Sequence, residues 1–249
     1  MQAIILAGGE GLRLRPLTFT IPKPLMPVGE EPIMQRLIER LRVSGVKEIG
    51  VATGYGFDLV EAYFKDGARL GVQLHYVREV AKLGTAGPLA AFADWARGPV
   101  IVVNGDILTL QDFGALHDFH VKSGAEMTVG VRSWELRVPF GVIDTDRGRV
   151  VEVREKPSVR LLINAGLYVM NPSVLAGLPK GRHLDIPDLI QTLLASGSHL
   201  AAFPIEAPWM DVGSFEDLER ASQLVERWRE AEPACRTASP LGEVAPNHA

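Results

Sequence analysis

The sequence predicts an α/β protein whose core is a parallel sheet covered by helices. Three observations carry that expectation. Short runs of Val, Ile and Leu at 3–7, 48–53, 72–77 and 99–103 are nearly continuous, as strands buried on both faces are. Amphipathic stretches at 32–44, 57–65 and 85–96 fall between those runs. The resulting βαβαβα rhythm is the pattern of parallel strands joined by helical crossovers. Composition agrees, because 47% of the 249 residues are hydrophobic, enough to form a core and to exclude disorder along the whole chain.

Each element has a local reason. The run at 3–7 has no basic residue before it and is too short for a secretory signal, so it reads as a buried strand. Pro32 suits the first turn of the helix at 32–44, and Gly45 suits its end. Thr85 is placed to cap the helix expected at 85–96. After residue 112 the rhythm changes. A helix is expected at 112–122, then strands at 125–132, 140–145, 149–155 and 163–170, with Asp146-Arg147-Gly148 as a hairpin turn. Helices return at 185–196 and 214–229, with a strand at 200–205 between them. The second half therefore reads as a β-richer subregion built onto the first sheet. No repeat of 20–50 residues is visible, and no hexapeptide ladder. From 231 the chain loses apolar periodicity, and 231–249 is expected to be a disordered tail.

Charge and cysteine content narrow the function classes. A net charge of -4 and a pI near 5.9 argue against sequence-independent nucleic-acid binding, which needs a basic stripe. Cys235 is the one cysteine, so neither an internal disulfide nor a Cys-x-x-Cys zinc site can form. No apolar stretch reaches the roughly 18 residues of a membrane span. The expectation is a cytoplasmic protein with neither nucleic acid nor membrane as partner, and with its oligomeric state open. His117 and His120 read as a surface or partly buried pair, since no third ligand is evident. Trp95, Trp134 and Trp228 read as packing residues, and Trp209 as packing beside the site described next. Ser44-Gly45-Val46-Lys47 straddles a helix stop, which makes its Ser-x-x-Lys pattern a coincidence.

The chemistry begins at residues 6–18, Leu-Ala-Gly-Gly-Glu-Gly-Leu-Arg-Leu-Arg-Pro-Leu-Thr. A buried strand runs into a loop whose Gly8, Gly9 and Gly11 let backbone N–H groups approach an anion. Arg13 and Arg15 add guanidinium forks suited to phosphate. A Walker loop is excluded by the missing Gly-Lys-Ser/Thr, and a dinucleotide fingerprint by Leu14 at its third glycine position. Residues 21–27, Ile-Pro-Lys-Pro-Leu-Met-Pro, stiffen the backbone on both sides of Lys23, one of only seven lysines. A lysine held this way reads as a positioned point charge.

Gly-Gly-x-Gly-x-Arg-Leu-x-Pro-x-Thr followed at this spacing by Pro-Lys-Pro resembles the signature of the sugar-1-phosphate nucleotidyltransferases, the NDP-sugar pyrophosphorylases. The resemblance runs over roughly residues 1–225. It implies a single-domain, Rossmann-like nucleotide-diphospho-sugar transferase fold over 1–230, with a mixed but mostly parallel sheet. Residues 1–110 would form a nucleotide-binding half and 111–230 a sugar-binding half. It implies that Leu6, Ala7, Gly8, Gly9, Gly11, Arg13 and Lys23 hold the nucleotide. Gly84 and Thr85, in Leu-Gly-Thr-Ala-Gly-Pro-Leu, would hold its base. Asp106, in Val-Val-Asn-Gly-Asp, and Asp211, in Trp-Met-Asp-Val-Gly, match the two carboxylates that bind Mg2+. Asp106 ends a buried strand at the carboxyl edge of the sheet, where open α/β folds bind ligands. Glu155 and Lys156, in Arg-Glu-Lys-Pro, would take the sugar and its phosphate, with Asn164 and Gly141 beside the ring. Ser214 can cap the final helix and leave Asp211 for the metal.

The implied reaction joins a nucleoside triphosphate to a sugar 1-phosphate and releases pyrophosphate. The nucleophile is already an anion, so the expected machinery is positioning and charge stabilisation by Arg13, Lys23, Asp106 and Asp211. The Leu-Gly-Thr-Ala-Gly form is most similar to the mannose-1-phosphate guanylyltransferase branch, which favours GTP and mannose-1-phosphate. The alternatives are UTP, dTTP, CTP or ATP, with glucose-1-phosphate, an amino sugar, a heptose, N-acetylmuramate or cyclitol phosphate. A non-catalytic NDP-sugar sensor is the alternative of another class, and the four intact charged residues argue against it. Two departures from the pattern stand out: Leu12 where Thr is commoner, and Glu206-Ala207-Pro208 before Trp209.

Overall fold

A seven-stranded sheet runs through the protein, and the computed structural model describes residues 1–231 of it. The first half supplies β1 (Gln2–Leu6), a short β2 (Pro27–Val28) and β3 (Glu31–Pro32), α1 (Ile33–Val43), β4 (Glu48–Thr53), α2 (Phe57–Phe64), β5 (Gln73–Arg78), β6 (Val100–Asn104) and β7 (Ile107–Thr109). The second half supplies α3 (Phe113–Ser123), β8 (Met127–Arg137), β9 (Val142–Asp146), β10 (Arg149–Arg154), β11 (Ser158–Met170), α4 (Pro172–Ala176), α5 (Ile186–Ala195), β12 (Leu200–Pro204), β13 (Trp209–Asp211) and α6 (Phe215–Ala231).

The sheet order is β12-β8-β11-β6-β1-β4-β5. Neighbours are parallel except β11, which runs antiparallel to both β6 and β8. The fold is thus the mixed, mostly parallel α/β sheet expected. Alternate residues of β1 feed two cores. Ala3, Ile5 and Ala7 pack with Leu37 and Leu41 of α1, Phe64 of α2 and Phe113 of α3. Ile4 packs on the other face with Leu89, Phe92, Leu175 and Leu189. Each such aliphatic side chain gains about 1.5–3 kcal/mol on burial, which is why the strands lack polar alternation. A third cluster of Val28, Ile33, Leu108, Val212, Ala221 and Val225 docks α6 onto the β7 and β13 region.

Several elements differ from the sequence expectation. Residues 85–96 do not form one α-helix; only a 3-10 segment, Gly87–Phe92, forms there. Gly87 is crowded, because a Cβ would lie 2.6 Å from the Arg182 carbonyl oxygen, and Pro88 has no N–H to donate. Thr85 does not cap that segment. Its hydroxyl accepts from Ile186 N–H at 2.8 Å and so caps α5, a hundred residues away. Trp134 is exposed rather than packed. It lies where β8 and β11 run on beyond their expected limits. The short α4 and the antiparallel β7–β13 ribbon are additions that the sequence pattern does not signal. His120 is fully buried rather than at the surface or partly buried, because its ring nitrogens are met by Thr128 Oγ1 at 2.9 Å and Asn171 Oδ1 at 3.2 Å. The expected tail lies, from 232 on, outside the described residues. Among the described residues no helix is long and apolar enough to cross a membrane.

Candidate active site

The glycine loop leaves β1 at the carboxyl edge of the sheet. Ala7 N–H still donates to Ala52 O at 2.7 Å. Gly11 then takes a left-handed φ of 61°, and a Cβ there would lie 2.7 Å from Thr18 Cγ2. Thr18 donates back to Gly11 O at 2.9 Å, which locks the loop. A 3-10 turn, Leu12–Leu14, follows and carries Arg13. After a further 3-10 turn at Leu17–Phe19, a third, Lys23–Leu25, starts at Pro22, whose ring holds φ at -61° with an extended ψ of 145°. It aims Lys23 across the sheet edge, where Nζ donates to Asp106 Oδ2 at 2.7 Å.

Asp106 and Asp211 are brought together by backbone pairing. Asp106 lies between β6 and β7, and Asp211 ends β13 opposite Ile107. Val212 N–H donates to Asp106 O at 2.9 Å and extends the ribbon past both carboxylates. Trp209 fastens the ribbon by donating from Nε1 to Ala165 O at 2.8 Å. Burial first, then the Asp106 charge, pushes the Asp211 carboxyl up, while Lys23 and Arg13 pull it down. Asp211 is not needed as a cap, because Ser214 and Asp217 cap α6 reciprocally. Asp217 Oδ2 accepts from the Ser214 hydroxyl at 2.7 Å, and Asp217 N–H donates to Ser214 Oγ at 3.2 Å.

A cavity of about 310 Å³ opens here. Leu6, Ala7, Gly9, Gly11, Arg13, Lys23 and Asp106 line it, together with Gly213. Gly213 leaves room for the guanidinium: a Cβ there would lie 2.6 Å from Arg13 Nη2 and would displace the end of that side chain. Two cations, the glycine loop and Asp106 converge on one space, with Asp211 close enough to feel the three charges. Cationic side chains and free backbone N–H groups are the donors that phosphate oxygens accept from. Among the described residues no group of three or more His, Cys, Asp or Glu could hold a metal. Two carboxylates this close, with the Asp211 carboxyl pushed up by burial and by the Asp106 charge, suit a hard divalent cation whose remaining ligands are water and phosphate oxygens.

The other expected residues stand apart from this cavity. Gly8 packs against Glu79, whose Oε1 occupies the place a Gly8 Cβ would take. Gly84, at φ 73°, and Thr85 clasp the start of α5, with Thr85 N–H donating to Asp185 Oδ1 at 2.9 Å. Gly141, Glu155 and Lys156 form a second group on an exposed arm. A Gly141 Cβ would lie 3.2 Å from Glu155 Oε2, and Lys156 Nζ is 3.8 Å from Glu155 Oε1. Asn164 Oδ1 accepts from Gly166 N–H at 3.0 Å and shapes the bulge in β11. Among the described residues no hydrogen bond or ion pair joins the arm group to the cavity.

Two site residues escape sequence reasoning, Gly213 and Glu79. Glu79 follows β5 at the same sheet edge. It lines a second cavity of about 260 Å³ with Val77, Leu83, Gly87 and Pro88. Burial alone pushes its carboxyl up to about 7, and among the described residues no partner meets it. The available signal is its position, a carboxylate between a buried strand and the Leu-Gly-Thr-Ala-Gly turn.

Comparison with known proteins agrees with this geometry. The family model described as nucleotidyl transferase matches residues 2–227. A mannose-1-phosphate guanylyltransferase of Mycobacterium tuberculosis is 37% identical over 245 residues, 95% of this chain and 67% of that protein. A UTP–glucose-1-phosphate uridylyltransferase of Synechocystis is 35% identical over 241 residues, 89% of this chain and 62% of that protein. The chain thus spans about two thirds of the length of these relatives. Among solved structures, a Bacillus anthracis protein assigned as a glucose-1-phosphate thymidylyltransferase superposes with a TM-score of 0.74 at 26% identity, covering 90% of this chain and 95% of that one. HddC from Yersinia pseudotuberculosis, at 24% identity and a TM-score of 0.71, shares the fold over 90% of this chain and 99% of its own. A family match over this extent, on a fold and a cavity of the expected kind, makes this chain a member of the nucleotidyl transferase family.

Proposed function

We propose that this protein transfers a nucleotidyl group from GTP to mannose-1-phosphate, giving GDP-mannose and pyrophosphate. The observation that carries the reaction class is the convergence of Arg13, Lys23 and Asp106 on one cavity beside the glycine loop, with Asp211 close enough to feel the charge of all three. A sugar-phosphate oxygen attacks the α-phosphorus, a new P–O bond forms, and the bond to the β-phosphate oxygen breaks. Pyrophosphate leaves with the negative charge. Residues 1–110 serve the nucleotide and 111–230 the sugar phosphate.

Each residue has a physical task. Backbone N–H groups of the Gly8 to Gly11 loop and the Arg13 guanidinium receive the triphosphate. Lys23, now neutralised by Asp106, is the point charge for the leaving pyrophosphate. Lys156 holds the sugar phosphate, Glu155 accepts from ring hydroxyls, and Asn164 and Gly141 shape the space beside the ring. Asp106 and Asp211 would hold Mg2+, which supplies charge neutralisation on the reacting phosphates. Loss of one such electrostatic donor costs about 10²–10³ in rate.

Glu79 supports guanine within this reading. Its carboxylate lies between the phosphate loop and the second cavity, with no partner among the described residues. Guanine presents N1–H and a 2-amino group side by side, two donors for one carboxylate, where uracil and thymine present one donor between two acceptors. The Gly84-Thr85 turn flanks the same space, and mannose-1-phosphate guanylyltransferases recur among the relatives.

The test is pyrophosphate release with Mg2+ from five nucleoside triphosphates crossed with a panel of sugar 1-phosphates, using Asp106→Asn as the blank. The expected signal is strongest with GTP and mannose-1-phosphate. A signal in another cell of that grid would keep the chemistry and reassign the pockets. Nucleotide binding without turnover in every cell would overturn the enzymatic reading.

A further inference from the structure

The stretch of chain between Arg13 and Lys23 has little support of its own. From Arg15 to Ile21 only Thr18 is buried, and the other six residues are exposed. The backbone there closes on itself through local turns, with Phe19 N–H donating to Pro16 O and Ile21 N–H to Leu17 O, each at 3.0 Å. Local bonds shape a turn but do not fix where it sits. Yet both cations of the phosphate cavity lie at the ends of this stretch, where a misplacement of about 1 Å costs about 10² in rate.

The turn between β4 and α2 supplies the fixture. The Tyr55 hydroxyl donates to Thr18 O at 2.6 Å, and Phe19 O lies 3.2 Å from it. Thr18 carries the constraint inward. Its own hydroxyl donates to Gly11 O at 2.9 Å, and a Gly11 Cβ would lie 2.7 Å from Thr18 Cγ2 and 3.4 Å from Lys23 Cβ. Thr18, Gly11 and Lys23 therefore meet at one point.

Gly56 makes a second contact. A Cβ there would lie 2.5 Å from Pro22 Cβ and 2.7 Å from Pro22 Cγ, so the Pro22 ring rests directly on the Gly56 backbone. Pro22 is buried, its ring cannot rotate away, and Lys23 follows it in the chain. The support is itself tied down on two sides. Leu59 and Val60 N–H both donate to Gly56 O at 3.1 Å, within α2. Thr53, fully buried at the end of β4, donates from Oγ1 to Ala7 O at 3.3 Å, where the glycine loop begins.

We propose that Tyr55 and Gly56 are positioning residues for nucleotidyl transfer, which hold Arg13 and Lys23 at the phosphate cavity without touching the substrates. Neither of them lines that cavity. The proposal rests on the phosphate roles given above to the two cations. A hydrogen bond that fixes a loop before the ligand arrives removes the ordering cost from the later steps. The net strength of one such bond corresponds to a factor of about three to ten.

The experiment is steady-state pyrophosphate release by Tyr55→Phe, which keeps the ring and removes only the hydroxyl. Its kcat with GTP should fall about three- to tenfold. KM for mannose-1-phosphate and the circular dichroism should match the wild type. Tyr76→Phe is the control, because it loses a donation of the same kind, to Lys65 O at 2.7 Å, away from the site, and should keep full turnover. In a Lys23→Ala or Arg13→Ala background Tyr55→Phe should cost less than it does alone, since the group it places is gone. Gly56→Ala should lose about 10² in kcat by displacing Pro22. Its φ of 69° also strains an alanine and lowers Tm, so Tyr55→Phe is the deciding variant. Wild-type kcat in Tyr55→Phe, an equal loss in Tyr76→Phe, or losses that add fully in both backgrounds would overturn the proposal. If the wild type transfers nucleotide to no sugar phosphate, the proposed reaction falls and the Kd for GTP decides instead. A Kd about three- to tenfold weaker in Tyr55→Phe would keep the positioning role, and an unchanged Kd would remove it.

Discussion

Gly213→Ala tests the site through a single carbon atom. Gly213 is outside the set of residues with positive φ, so its backbone accepts alanine without strain. The new Cβ would lie 2.6 Å from Arg13 Nη2, 2.8 Å from Cζ and 3.0 Å from Nη1. Non-bonded heavy atoms prefer about 3.5–4.0 Å, so the guanidinium must retreat by about 1 Å. A displacement of that size at a reacting group costs up to about 10² in rate. We expect kcat/KM to fall about 10- to 100-fold, a loss of about 1.4–2.7 kcal/mol of transition-state stabilisation. The folded state should be nearly unaffected, because an alanine keeps the backbone N–H that Gly213 donates to Asp217 Oδ2 at 3.3 Å. The assay is pyrophosphate release for the wild type, Gly213→Ala, Arg13→Ala and the double variant, with Tm recorded for each. If the effect runs through Arg13, adding Gly213→Ala to Arg13→Ala changes nothing further. Full activity in Gly213→Ala, or additive losses in the double variant, would refute the reasoning.

Lys23→Ala and Asp106→Asn should each lower kcat by about 10²–10³ with little change in circular dichroism, since both groups serve charge rather than packing. Thr85→Val removes the hydroxyl that accepts from Ile186 N–H and should destabilise the protein by about 1 kcal/mol, read from urea midpoints. Glu79 predicts a pH effect. Burial raises its carboxyl from an ordinary 4.5 to about 7, so folding favours the protonated form. Stability from this group is full below pH 4.5 and is lost as pH rises through about 7. Glu79→Gln, which stays neutral, should therefore gain Tm over the wild type above pH 7 and show no gain near pH 4. An equal Tm difference at both pH values would remove the burial argument.

Much of the cavity is legible along the chain because its parts are local. The glycine loop, Arg13 and the proline-bracketed Lys23 lie within 23 residues, and each follows from backbone rules that act over a few positions. Asp106 is readable as the residue just past a buried strand. Gly213 is not, since the side chain it makes room for is Arg13, two hundred residues away. Glu79 looks like one acidic residue among 30, and only its contact with Gly8 sets it apart. Thr85 points to the wrong helix for a related reason. A cap is recognised from the residues that follow it, and here the amide it serves belongs to Ile186. Trp134 reads as a packing residue because tryptophan usually is one; register carries it past the last strand that could cover it.

By itself the sequence determined the strand periodicity of the first half, the glycine loop, and the identity of the charged groups that gather beside it. These depend on hydrophobic spacing and on short-range sterics, which act along the chain. Only the tertiary structure decided that β11 runs antiparallel between β6 and β8, that the β7–β13 ribbon sets Asp211 beside Asp106, and that the arm holding Glu155 and Lys156 stands without a covering layer. Those outcomes depend on pairings between segments far apart in the chain. Such pairings are chosen by the total burial and hydrogen bonding of the folded chain, a quantity that no local stretch contains.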